Sequence, residues 1–141
     1  MWIFWAFMAA LSAALVIIFT KAGLEKIDSS LAFAVQAIFI LVITWALITY
    51  QGTFNQLKQL DTKTWGFLVA AGIFTTLSTL FSYKALSLGP ASYVVTIERM
   101  SLLFTIVLAV IFLKEKLSWQ LVLGAGLMLA GALLIGLTQK S

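Results

Sequence analysis

Three observations predict an all-α integral membrane protein of five transmembrane helices. Five apolar runs of spanning length follow one another along the chain, separated by short polar breaks. Of the 141 residues, 62% are hydrophobic and 10% charged, with a mean hydropathy of +1.10, where a soluble domain carries about 25% charged residues. Trp2, Trp5, Trp45, Trp65 and Trp119 fall within a turn or so of a run end, the level at which an indole hydrogen-bonds at one edge while its body stays in lipid.

A spanning helix needs about 20 predominantly apolar residues, and each run meets that length. The first covers residues 2–20 and ends at Lys21; it lacks the basic leader of a signal peptide and outlasts a usual leader core, so it is expected to be retained as a span. The second, 30–49, follows the polar stretch from Lys21 to Asp28. The third, 65–86, is stopped by Gly89-Pro90. The fourth, 91–113, is closed by Lys114-Glu115-Lys116, and the fifth, 119–137, is followed only by Thr138-Gln139-Lys140-Ser141. The longest connection, Tyr50 to Thr64, repeats Phe54, Leu57 and Leu60 at a spacing near three, which predicts one short amphipathic turn on the membrane surface. Residues 1–141 are expected to form a single five-helix unit with no soluble domain.

Composition also excludes whole classes of function. The chain has no cysteine and no histidine, which removes thiol chemistry, disulfides, histidine catalysis and the usual zinc ligand sets. No phosphate loop or catalytic triad is present, so neither an enzyme activity nor a cofactor nor a metal is expected. The net charge of +4 comes from lysines that sit singly between apolar runs and form no patch, and nucleic acid is not an expected partner.

With five spans the termini lie on opposite sides. The N-terminal side carries Lys58, Lys63, Lys114 and Lys116, and the other side carries Lys21, Lys26, Lys84 and Lys140. Orientation is normally set by an excess of Lys and Arg in cytoplasmic loops, and here the two sides balance. Either the chain inserts both ways round, so that two copies reproduce an inverted repeat, or a partner or one dominant helix imposes a single topology.

Polar residues inside the spans are the candidate site. Glu98 and Arg99 lie about 6 Å from the midplane of the fourth run at 1.5 Å per residue, where each charge costs on the order of 2.5–3.5 kcal/mol in lipid. They are therefore expected to face protein or water, with Glu98 taking a proton or cationic substrate and Arg99 tuning it or binding an anion. The alternative is a buried network that sets helix packing or dimer register. Glu98, Ser101 and Thr105 share a face of the fourth run; Thr75, Thr79 and Ser82 share a face of the third. Gln36 and Thr44 share a face of the second, and Ser12 lies midway along the first. Together these residues are the substrate- or ion-binding candidates, although membrane Ser and Thr also bond within their own helix. Gly124, Gly126, Ala130, Gly131 and Gly136 make the fifth run small and smooth, the pattern of a packing helix, plausible at a dimer interface.

Tyr83-Lys84-Ala85-Leu86-Ser87-Leu88-Gly89 with Ala91-Ser92 is similar to a Y-x-A-L-x-x-G pattern followed by small residues. Val94 to Ser101 is similar to V-V-P-I-D-K-x-S, and Phe112 to Ser118 to L-x-E-K-L-T; a glycine-rich helix from Gly124 to Gly136 comes last. In that order these motifs resemble the EamA-type drug/metabolite transporter superfamily, most closely its short, single-unit, five-helix bacterial and archaeal branch, best from about residue 79 to 137. Thr96 stands where that pattern has proline, so a proline kink is not available there. Glu98-Arg99 keeps the branch's acid–base order with longer side chains. The resemblance implies membrane transport by two five-helix units in opposite orientations, of which this chain holds one.

The expected function is transport of small molecules across the cell (plasma or inner) membrane, driven by an ion or proton gradient. The expected partners are the lipid bilayer, a small-molecule substrate and a second copy of the chain, antiparallel if insertion is dual. The alternatives are a non-transporting subunit that packs on a larger partner through its glycine-rich helix, and, more weakly, a channel. Dual insertion predicts that a single cysteine at Asn55 or at Gln139 is about half protected from an impermeant thiol reagent in intact cells. Full labelling at one position with full protection at the other would establish a single topology.

Overall fold

Hydrocarbon offers a peptide group no hydrogen-bond partner, so an apolar run in lipid closes its own backbone ladder. The computed structural model describes residues 1–138, with no strand among them. The helices are α1 (Trp2–Gly23), α2 (Ser29–Gln51), α3 (Thr62–Leu88), α4 (Ala91–Glu98), α5 (Ser101–Phe112) and α6 (Trp119–Thr138), with a 3-10 helix at Thr53–Gln59. Five stretches are long and apolar enough to cross a membrane, the fourth being α4 and α5 together, Ala91–Phe112. Lys140, counted above in the charge balance, lies outside the described residues.

Most helices outrun the apolar segments that predict them by one to three residues at an end. Lys21 lies within α1 and Lys84 within α3, each in the last turns of its helix, where a long apolar stem lets a lysine extend the helix past the apolar run. The connection between α2 and α3 holds the predicted amphipathic turn as the 3-10 helix, and its Phe54 ring packs on Trp45 of α2 with centroids 5.7 Å apart. Gly52 ends α2 at φ +68, a left-handed conformation that only glycine adopts without steric cost.

Contacts divide the chain into two compact units, Met1–Leu88 and a second that begins at Gly89. In the first, α3 packs on both α1 and α2, and the 3-10 helix packs on α2. Its buried residues are Thr20, Leu24, Ser29, Ala32, Tyr83 and Leu86. All six lie at one end of the unit, where α1 finishes, α2 begins and α3 finishes. Asp28 caps α2 there by accepting the Ser30 amide at 3.0 Å. Nearly every large apolar side chain elsewhere is exposed, as lipid-facing residues are.

In the second unit α6 packs on α4 and α5. Ala132 is buried, and a methyl group placed on Gly136 would lie 3.8 Å from Ile97 Cγ1 of α4. This small pair on α6 is therefore used within the unit. A methyl group on Gly124, Gly126 or Gly131 would meet nothing within 4 Å.

Asp61 precedes α3 and accepts the Thr64 amide at 3.1 Å. Hydrogen bonds from the Thr64 side chain, then from its amide, hold the Asp61 carboxyl below the ordinary aspartate range. A lowered value means that the cap is fully present above the ordinary value and is lost as pH falls through the lowered one. Exchange of the Thr64 amide, corrected for its intrinsic rate, should therefore rise on acidification below about pH 4. In Asp61→Asn this dependence should vanish.

Candidate functional site

Gln36 lies two turns into α2, and an amide at that depth has to find its partners on other helices. Its Oε1 accepts from the Tyr83 hydroxyl of α3, and its Nε2 donates to Thr20 Oγ1 of α1 at 3.2 Å. One side chain thus joins all three helices of the first unit. Tyr83 is buried and held edge-on against Phe33, with ring centroids 5.7 Å apart. Beside it, Lys21 Nζ donates to the carbonyl oxygen of Leu86, the most deeply buried large side chain of the described residues.

A groove of about 300 Å³ runs along α1 up to this cluster. Its lining is Ser12, Leu15, Val16, Phe19 and Thr20 of α1 with Gln36 of α2. Two residues singled out from sequence, Ser12 and Gln36, therefore line one open groove. Its walls are apolar, and its polar lining is hydroxyl and amide with no formal charge.

The α3 stripe behaves differently. Thr75 and Thr79 donate to the carbonyls of Ala71 and Thr75 in their own helix, as Thr44 does to Ile40 on α2. Those hydroxyls are already satisfied without a ligand. Ser82 is half-buried, one residue before Tyr83.

In the second unit the fourth span is interrupted at its charged pair. The Arg99 amide donates to the carbonyls of Val95 and Thr96, then Met100 donates to Ile97, Leu102 to Arg99 and Leu103 to Met100. For one turn the ladder shifts from i−4 to i−3, with Glu98 ending α4 and Ser101 opening α5. The interruption follows Thr96, whose hydroxyl donates to Ser92 O at 2.6 Å, a bond that bends helices. Glu98, Arg99, Ser101 and Thr105 are all exposed.

This geometry belongs to a membrane protein whose polar groups are gathered at particular depths, and the sequence aligns along nearly its whole length with one family. Residues 1–137 match the EamA-like transporter family. The chain belongs to that family. A protein of Sinorhizobium sp. described as an uncharacterized transporter in the cobO 3′ region is 34% identical over 134 residues, 95% of either chain. No solved structure matches. The match extends the resemblance from residues 79–137 to the amino terminus and makes the chain a multi-pass membrane transporter.

In this EamA-like transporter, Thr20, Lys21 and Tyr83 escaped the reading of candidate residues. Thr20 and Lys21 sit at the edge of an apolar run and look like the end of a helix. Tyr83 stood in plain view in the Y-x-A-L-x-x-G stretch, whose tyrosine binds Gln36 and whose Leu86 receives Lys21. The polar signal that pointed to them was Gln36, an amide in an otherwise apolar helix that had to be answered elsewhere.

Tyr83→Phe keeps the ring against Phe33 and removes one hydrogen bond, so it should lower stability by about 0.5–1.5 kcal/mol. Gln36→Leu should cost more, because it strands both the tyrosine and the threonine. In the Gln36→Leu background, Tyr83→Phe should cost almost nothing; equal costs in both backgrounds, measured by thermal unfolding in detergent, would show that the bond does not form.

Proposed function

We propose that this EamA-like transporter carries small molecules across the cell membrane in exchange for a proton or cation, as a dimer of oppositely inserted copies. The observation that carries the coupling is the interruption of the fourth span at Glu98-Arg99. Irregular backbone at membrane depth persists only where it meets protein, water or ligand, and interrupted helices near the midplane are a recurrent setting for substrate and ion sites. Seven residues separate Ala91 from Glu98, about 10 Å along a span of about 33 Å.

Glu98 is the exchanging carboxylate in this reading, and Arg99 tunes it or receives an anionic group. Ser101 and Thr105 supply neutral hydrogen bonds beside them. In the first unit, Ser12 and Gln36 line a groove of their own and offer neutral hydrogen bonds to a solute there. Gly126 and Ala130 share one face of α6 a turn apart, and with no neighbour at the Gly126 Cβ position that face supports close approach of a second copy. The even lysine count supports insertion in both orientations.

Reconstituted vesicles with a pH-sensitive dye inside provide the test. A solute moved by the wild-type protein should shift internal pH, and in Glu98→Gln that shift should fall to background while solute binding persists. Coupled flux with unchanged pH dependence in Glu98→Gln would remove the proton-carrier role.

A further inference from the structure

The end of the first unit that holds all its buried residues is also where the groove stops. Thr20 and Gln36 belong to both, as lining of the groove and as links in the Thr20–Gln36–Tyr83 chain. Ser12 lies eight residues before Thr20 on α1, about 12 Å along the axis, so the groove reaches from mid-membrane to this sealed end. The seal is closed by side-chain hydrogen bonds between helices: Tyr83 to Gln36, Gln36 to Thr20, and Lys21 to the Leu86 carbonyl. Such bonds hold a closed state by modest free energies and exchange readily for others.

Resting on the transport reading above, we infer that Tyr83 and Lys21 are positioning residues for transport, and that their bonds form the gate closing this end of the α1–α2 groove. Gln36 links gate and groove. A ligand moves a two-state equilibrium only through contacts that differ between the states. A solute in the groove that hydrogen-bonds the Gln36 amide competes with Thr20 and Tyr83 for it, and so favours opening. The lining specifies the class of that solute. With Ser12, Thr20 and Gln36 on apolar walls and no charge among them, the groove suits an uncharged group with a hydrogen-bonding carbonyl or hydroxyl, since a charge there would lose its hydration with no counter-charge in the lining.

The absence of native cysteine gives a test that needs neither solute nor ion gradient. Ser12→Cys reports the groove, and Ile38→Cys, on an exposed stretch of α2 at similar depth, reports general loosening. Each is placed in wild-type and Tyr83→Phe backgrounds, and its reaction with a charged methanethiosulfonate is timed in permeabilised proteoliposomes, where both faces are reached. Tyr83→Phe should speed labelling at position 12 by about twofold to tenfold, the factor carried by one hydrogen bond at about 1.4 kcal/mol per decade, and leave position 38 unchanged. Lys21→Met should act the same way through the other bond, which keeps the test open if Tyr83→Phe fails to assemble. Equal rates at position 12 in all backgrounds, or a parallel rise at position 38, would overturn the gate. Loss of coupling in Glu98→Gln bears on the transport reading and leaves this outcome untouched.

Discussion

In the hydrocarbon core, water answers no peptide group and drives no two apolar surfaces together. That constraint accounts for most of what is seen in this chain. Backbone polarity is consumed inside each span, and large apolar side chains stay outward because lipid suits them as well as a protein core does. Association between helices is left to the few contacts that lipid cannot imitate. Here those are a hydrogen-bonded amide, a lysine on a carbonyl and a small-residue seam.

The two units use these contacts differently. The first is tied at one end by Gln36, which bonds to Tyr83 and Thr20, with Lys21 on Leu86 O beside it. The second relies on close approach: Ala132 is buried, and Gly136 lies against Ile97. Its charged pair, Glu98 and Arg99, is exposed at the point where the ladder of the fourth span changes pitch. A structural tie and an exposed charged pair are different uses of intramembrane polarity. The first stabilises one arrangement of helices, whereas the second keeps chemistry available.

Threonine shows how the same residue type divides between these uses. Thr44, Thr75, Thr79 and Thr96 fold their hydroxyls onto their own helices and are silent toward neighbours. Thr20 instead accepts a bond from α2. Their hydropathy is identical, and the distinction comes from whether an unsatisfied donor on another helix lies within reach. A polar stripe read at helical spacing is therefore a weak guide to bonding between helices, while a lone amide such as Gln36 is a strong one.

By itself the sequence determined the number of spans, their limits to within a few residues, the surface turn between α2 and α3, and the family. These are local or cumulative properties: twenty apolar residues in a row, a Gly-Pro stop, four motifs in order. It also singled out Gln36 and Ser12, because polarity without nearby polarity is visible along a chain. Only tertiary structure decided that Gln36 answers Tyr83 and Thr20, that Lys21 caps the Leu86 carbonyl, and that the Ala132–Gly136 seam is occupied within the unit. It also decided that the fourth span breaks after Thr96 although no proline is there. Each of those outcomes depends on which residues, 16 to 65 positions apart or one helical turn apart, come within 3–4 Å. Helical periodicity fixes the direction in which a side chain points but not what stands opposite it.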